Sequence, residues 1–271
     1  MTAPLFTVLG ASGYIGSRLV TNLCSLNNTV WAPMRDDPSI LNRPLGHLLY
    51  CVGLTGNFRS RPFDAIDAHI TLLAQLLKYA NFSSLLYLSS TRVYLGSERT
   101  DEDAPLTINL SDSSNLYNLT KLTGESLCHN SGRKNVRIAR LSNVVGPGMD
   151  PASGNFIATL LSEARSGHVL LQSDPKSMKD YIHIDDVVNW LPRIALEGRA
   201  NSYNVASGIQ TTHEQWLQWI TTATGCTQAI KSGAPLHQFQ KINVDRLRRE
   251  FRVEAKSISD WLNTPPNVTI K

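Results

Sequence analysis

The sequence predicts an α/β chain in which a doubly wound, mostly parallel sheet is covered by helices on both faces and a smaller lobe is supplied by the later residues. Two observations carry this. Up to Leu141, short apolar runs of strand length alternate with segments whose apolar residues recur at helical spacing. Beyond Gly148 the elements become shorter and less regular.

Taken in order, residues 5–9 form an apolar run that stops at the glycine turn GASGYIG, after which Ile15, Leu19, Val20 and Leu23 recur at helical spacing. This is strand, turn, helix. Residues 29–34 read as a second strand, followed by an irregular stretch, 36–46, that holds Pro38 and Pro44 and is too short for a normal crossover. Residues 48–52 read as a buried strand. Ile66, His69, Leu72, Leu73, Leu76, Leu77 and Ala80 then make one face of a helix. Residues 85–88 give a strand ending in Ser89, Ser90 and Thr91, 117–128 a helix, and 136–141 a buried strand broken behind by Gly146-Pro147-Gly148.

In the later chain, helices are expected at 156–164 and 187–195, and strands at 169–171 and 203–206. Thr211 and Glu214 have the spacing of a capping box that opens a helix carrying Trp216, Leu217 and Ile220. The expected division is 1–145 with 179–208 as the sheet domain, and 146–178 with 209–271 as the lobe.

At 271 residues, with 42% hydrophobic and 18% charged, the chain has room for a sizeable core and is too apolar for disorder. No apolar run is long enough to span a membrane, and the N-terminus runs straight into a strand without the pattern of a secretory signal, so a cytoplasmic location and no membrane partner are expected. Cys24, Cys51, Cys128 and Cys226 form no CxxC pair and read as small core residues. The net charge of +4 is mild and its only cluster is Arg246, Arg248 and Arg249, which favours a small anionic ligand over nucleic acid.

The chemistry-bearing residues begin with Gly10, Gly13 and Gly16. They follow a strand and open a helix, where glycines let the backbone approach a pyrophosphate and the helix N-terminus offers amides. This makes the sheet Rossmann-type. The GxxGxxG spacing points to a short-chain reductase style of binding. An acid would be expected eighteen residues beyond Gly16 if the cofactor ribose carried a free 2′-hydroxyl, but Met34 stands there, followed by Arg35. A cation suits a 2′-phosphate, so NADP is favoured over NAD, with Asp36 and Asp37 as the rival partners of a hydroxyl. Tyr117 and Lys121 stand four apart, on one face of a helix and about 6 Å apart along its axis. A neighbouring ammonium can bring a phenol into acid/base service. The hydroxyls of Ser89, Ser90 and Thr91 end a strand at the sheet edge where ligands collect.

GASGYIG, YLSSTRVY, YNLTK, RLSNVVGPG and KDYIHIDDV occur in one order over residues 4–207. In that order the chain resembles the extended short-chain dehydrogenase/reductases, the sugar-nucleotide epimerase/dehydratase family. The resemblance implies an NAD(P)-dependent enzyme that exchanges hydride with the sugar of a nucleotide sugar, with Ser90, Tyr117 and Lys121 catalytic and Lys121 also on the nicotinamide ribose. It selects Ser90 among the three hydroxyls because that residue lies three before Val93. The cofactor set it implies is Gly10, Ser12, Gly13, Tyr14, Ile15, Gly16, Arg35, Val52, Gly53, Tyr117 and Lys121. The substrate set is Ser90, Thr91, Asn143, Asn155, Phe156 and Lys179, with a homodimer as the implied assembly.

The chain departs from that pattern. Segment 36–46 leaves the adenine side open, His69 stands where the family commonly has Asn, and Lys179 replaces an Arg. Thr91 and Arg92 occupy the positions of the Asp-Glu pair that a dehydratase uses, so dehydration is not expected. His183, Asp185 and Asp186 resemble a metal cluster only in composition, because acids there complement a helix dipole, and no metal is expected. Trp216, Trp219 and Trp261 read as cover for the lobe's core. A ketoreductase of a carbonyl substrate without a nucleotide, and a non-catalytic dinucleotide sensor, are the alternatives.

Overall fold

The computed structural model describes residues 3–54, 58, 60–112 and 115–258. Six strands, β1 (Leu5–Leu9), β2 (Thr29–Trp31), β3 (His47–Tyr50), β4 (Ser84–Ser90), β5 (Val136–Leu141) and β9 (Ser202–Val205), pair all-parallel in the order β2-β1-β3-β4-β5-β9. The central strands are continuous apolar runs because both of their faces are covered. One face carries α1 (Tyr14–Ser25) and α6 (Ile184–Glu197), and its core joins Val8, Leu19, Leu23, Leu86, Leu191 and Val205. The other carries α3 (Leu72–Tyr79) and α4 (Asn115–Asn130), around Leu48, Tyr50, Leu73, Leu76, Tyr87 and Cys128.

The two helices of the first face are joined by a device at Pro192, inside α6. Proline has no N–H for the carbonyl four residues before it. That carbonyl, of Val188, instead accepts from Asn22 Nδ2 of α1 at 3.1 Å.

The smaller lobe has its own sheets: β6 (Asn143–Val145), β8 (Met178–His183) and β10 (Gln210–Thr212) in one, and β7 (His168–Leu171) with β11 (Thr227–Ile230) in another. Helices α5 (Phe156–Arg165) and α7 (His213–Thr224) pack on them about a core of Ile157, Leu160, Val169, Tyr181, Trp216 and Ile220. β8 belongs to this lobe's sheet, while α6, which follows it directly, lies on the large one. Trp219 packs on the lobe core beside Trp216; Trp261 lies outside the described residues.

The structure corrects several boundaries. β2 ends at Trp31 rather than at residue 34, because as an exposed edge strand it has a neighbour on one side only. The stretch read as too short for a normal crossover holds only a 3-10 turn, Pro38–Leu41. The helix expected from residue 66 begins earlier, as α2 (Pro62–Ile66), passes through a π-helical turn at Asp67–Thr71 and continues as α3. The capping box is one residue further on: Gln215 N donates to Thr212 Oγ1 at 3.1 Å and Thr212 N to Gln215 Oε1 at 2.8 Å. Cys24 is exposed on α1, so it is not a core residue, whereas Cys128 is buried. α8 (Asp245–Phe251) was not foreseen. Its Arg246 is turned inward onto Glu102, Asp103 and the Ser202 carbonyl.

Candidate active site

The glycine turn between β1 and α1 is shaped by backbone proximity. Gly10 has φ +79° and a Cβ there would lie 2.8 Å from the Cys51 carbonyl oxygen at the end of β3. A Cβ at Gly16 would run into the Gly10 carbonyl oxygen, so the first turn of α1 is seated on the turn itself. Gly13 caps the helix without any side-chain hydrogen bond, and no acid stands in the first turn. Of the N-terminal amides, that of Gly13 donates to the Gly10 carbonyl at 3.0 Å; with no side-chain cap and no acid on the rest, this open, uncapped cradle fits a dinucleotide pyrophosphate. Ser12 and Gly13 are exposed at its rim, while Tyr14 and Ile15 pack against the core below. Arg35 is exposed in the turn beyond β2. Asp37 is committed to its own 3-10 turn, accepting from Ser39 N at 2.9 Å and Ser39 Oγ at 2.7 Å.

The three strand-end hydroxyls separate by partner. Ser89 donates to Glu125 Oε1 at 2.5 Å in the interior, and Thr91 donates to the Leu141 carbonyl at 3.3 Å. Ser90 accepts from Arg92 N at 3.2 Å and its hydroxyl faces the Tyr117 phenol. Burial pushes that phenol above the usual tyrosine value, opposed by the Ser90 hydroxyl and then by the positive charge of Arg92. Tyr117 is consequently protonated at neutral pH.

Lys121 follows one turn later on α4, with Nζ donating to the Leu88 carbonyl at 2.8 Å and lying 6.0 Å from the centre of the Tyr117 ring. Burial lowers its pKa to about 7, against the upward pull of Glu125 and Cys51. Gly53 is beside it: a Cβ at that position would stand 3.5 Å from Lys121 Nζ. Val52, half-buried, packs on the core under α3. Gly10, Gly53, Ser90, Tyr117 and Lys121 thus gather where β1, β3 and β4 end, the edge at which ligands of such sheets bind.

A cavity of about 310 Å³ opens next to them, lined by Thr91, Asn143, Lys179, Glu98, Gln238 and Phe239 among others. Asn143 on β6 donates its amide to the Asp180 carbonyl at 2.8 Å, and the Lys179 ammonium lies 5.1 Å from the Phe239 ring centre. Burial lowers the Lys179 pKa, with the Arg92 guanidinium adding to the effect. Asn155 and Phe156 are not in that lining. Asn155 is the N-cap of α5, accepting from Ala158 N at 2.8 Å, and Phe156 stacks on His213 with ring centres 3.9 Å apart. His213 is buried and its pKa falls to about 4, through burial and then the charges of Lys179 and His237.

Sequence reasoning missed the layer beneath the site. Arg140 on β5 grips the Glu125 carboxylate, and Thr120 of α4 bonds His69. The signal available for Glu125 was its spacing of four from Lys121 on the buried face of the same helix. Among the described residues no group of His, Cys, Asp and Glu is arranged to hold a metal, and no helix is long and apolar enough to cross a membrane.

A dTDP-glucose 4,6-dehydratase of Streptomyces griseus is 28% identical over 150 residues, which cover 53% of this chain and 44% of that relative. MoeE5, solved with NAD and either UDP-glucose or UDP-glucuronic acid, superposes with a TM-score of 0.80 at 21% identity, covering 97% of both chains. RMD from Pseudomonas aeruginosa, complexed with NADPH, gives 0.76 at 21% identity over 95% of this chain and 96% of that one. The six-stranded parallel sheet is thus the Rossmann-type fold that those proteins share. Residues 6–206, from the first strand to the last strand of the large sheet, match one family, and on that match the chain belongs to the NAD dependent epimerase/dehydratase family.

Proposed function

We propose that the chain is an NAD(P)-dependent epimerase or ketoreductase of a nucleotide-linked sugar, with Tyr117 as its acid/base. The observation that carries this reading is the grouping of Ser90, Tyr117 and Lys121 beside the uncapped glycine cradle. The bound nicotinamide would supply a hydride acceptor and donor at that edge. The exposed Gly13 and the N-terminal turn of α1 would receive the pyrophosphate, with Gly10 and Gly16 letting the backbone pack closely enough to form that turn, and Lys121 and Gly53 would flank the ribose.

On this reading the Tyr117 phenol passes its proton to a substrate carbonyl oxygen, or takes one from the corresponding hydroxyl, while Ser90 holds the same oxygen. Burial keeps the phenol protonated at neutral pH, which suits the donating direction; Ser90 and Arg92 moderate that rise and make the accepting direction less costly. Asn143 and Lys179 would hold the sugar and its diphosphate in the neighbouring cavity. Beside Ser90, Thr91 is a weak acid and Arg92 a permanent cation, so the step after oxidation that removes water has no carboxyl to serve it. The reaction is therefore epimerisation or reduction.

The test is incubation of UDP-glucose, UDP-glucuronic acid and dTDP-glucose with the protein and each nicotinamide cofactor, following absorbance at about 340 nm and product mass together. An epimerase leaves absorbance and mass unchanged while the sugar's configuration changes; a reductase consumes one reduced cofactor per product. Loss of one water from any sugar, or no reaction and no cofactor binding, would overturn the reading.

A further inference from the structure

His69 sits on the π-helical turn Asp67–Thr71, between the residues that leave β3 and the Tyr117 turn of α4. A π turn releases carbonyls from helical pairing. Two of them here are taken by tyrosines of the sheet, Ala68 O by the Tyr50 phenol at 2.7 Å and His69 O by the Tyr87 phenol at 3.3 Å. The imidazole is fully buried, and its ring meets that of Tyr117 edge-on with centres 5.4 Å apart.

Its hydrogen bonds determine its tautomer. The Leu54 N–H can only donate, and it reaches His69 Nε2 at 3.2 Å, so Nε2 carries a lone pair. Burial, then the charge of Lys121, brings the ring's pKa down to about 3, so its one proton is on Nδ1. Nδ1 lies 2.8 Å from Thr120 Oγ1, whose own hydrogen is donated to the Tyr117 carbonyl at 2.9 Å. One directed chain therefore runs from the Leu54 amide through His69 and Thr120 to the backbone of Tyr117. A ring held this way at both nitrogens has no proton to exchange with a substrate.

We propose that His69 is a positioning residue of the hydride-transfer site, its Nδ1–H tautomer clipping Gly53 and Leu54 against α4 so that the Lys121 ammonium and the glycine beside it keep their spacing. The inference rests on the reading of Tyr117 and Lys121 given above. The spacing at stake is small: a Cβ at Gly53 would lie 3.4 Å from His69 Nε2 and 3.5 Å from Lys121 Nζ.

Two conservative substitutions separate the two bonds. His69→Gln puts an amide oxygen near the place of Nε2, keeping the acceptor for Leu54 and losing the Thr120 bond. His69→Asn puts an amide nitrogen near the place of Nδ1, keeping the Thr120 bond and releasing Leu54. His69→Ala loses both. The measurement is NADH and NADPH affinity by fluorescence titration between pH 5.5 and 9 (roughly the span around the Lys121 value), with Tm recorded for each variant.

His69→Gln is expected to stay within about threefold of the wild-type affinity, and His69→Asn and His69→Ala to lose about tenfold, the worth of one buried hydrogen bond. In the last two, water admitted past the released loop relieves the burial of Lys121, so the pH midpoint of binding rises above that of the wild-type protein. The other groups facing Lys121 are Glu125 and Tyr117 of its own helix, Cys51 after β3 and Tyr87 on β4, and none of them is altered by these substitutions. Equal affinities for the Asn and Gln variants, with only Tm lowered, would reduce His69 to packing and overturn the proposal. A wild-type protein that binds neither cofactor would overturn the reading beneath it as well.

Discussion

Glu125 and Arg140 form a two-point ion pair under the strand-end serines, with Nη2 2.7 Å from Oε2 and Nε 3.0 Å from Oε1. Their side chains are only 4% and 5% exposed. Arg140 Nη1 also donates to the Tyr94 phenol at 2.6 Å, and Glu125 does most to sustain the charge of Lys121 one turn away. Glu125→Gln preserves the volume and leaves the guanidinium buried without its countercharge. The expected cost is about 3 to 5 kcal/mol, read as a lower urea midpoint. The Lys121 pKa should fall further, shifting the pH midpoint of cofactor binding downward. A variant with unchanged midpoints would show that the pair supports neither stability nor Lys121.

At the glycine turn the expected order is Gly16→Ala worse than Gly13→Ala. The first places a Cβ against the Gly10 carbonyl oxygen, which is backbone and cannot swing away; the second places one at 3.3 Å from the same oxygen, where a shift of a few tenths of an ångström relieves it. Titration calorimetry with NADH should give a loss of at least about tenfold for Gly16→Ala and less for Gly13→Ala. The reverse order would mean that the first turn of α1 does not set the binding geometry.

The large sheet was legible because its strands are buried on both faces and read as unbroken apolar runs. β6 and β10 were obscured by brevity, since a strand of three residues carries no period of its own, and β8 and β11 by polar residues such as Lys179 and Gln228. Of the candidate site, the sequence marked residues whose type suits the chemistry, and the fold brings Gly10, Tyr117 and Lys121 to one edge of the sheet. The site was illegible where function depends on partners distant in sequence. That Ser89 turns to Glu125, that Asp37 serves its own turn and that Phe156 stacks on His213 all depend on tertiary placement.

Lys121 gives the protein a pH-dependent stability of definite sign. Its folded pKa of about 7 is below the ordinary 10.5, so between these values the unfolded chain binds more protons than the folded one. Stability from this group therefore rises as pH climbs from about 7 toward 10.5, and below 7 the full cost of burying the ammonium remains. Lys121→Met should raise the Tm at pH 6 more than at pH 9 while weakening cofactor binding. An equal change at the two pH values would contradict the buried, charge-bearing placement.

Arg92 faces both Tyr117 and Lys179 and lowers the pKa of each. Arg92→Met removes that charge, so both values should rise. With Tyr117 as the proposed acid/base, oxidation of a substrate hydroxyl would use the phenolate, and its rate would climb with pH through the Tyr117 value. The variant should need a higher pH to reach half of its maximal oxidation rate, whereas reduction, which uses the phenol, should hold its rate to higher pH. An unmoved profile with an altered KM would confine Arg92 to substrate contact.

The choice of cofactor should turn on Arg35. β2 stops at Trp31, and Asp37 is held by Ser39, which leaves Asp36 as the acid still available to a ribose hydroxyl; its backbone has φ +61° in the turn after Arg35. Two cations flank this end of the strand, Arg35 in the exposed turn and Arg43 stacked on the Trp31 ring at 4.1 Å. Because Arg43 is already spread on an aromatic face, Arg35 is the guanidinium whose fork is open to a 2′-phosphate. Arg35→Ala should weaken NADPH binding by about tenfold to a hundredfold and change NADH binding by less than about twofold, the difference between losing and never making a charge-assisted contact. Asp36→Ala should leave NADPH binding intact or improve it by removing a like charge. If the wild-type protein instead prefers NADH, and Asp36→Ala rather than Arg35→Ala reduces its affinity, the acid is the ribose partner and the phosphate assignment fails.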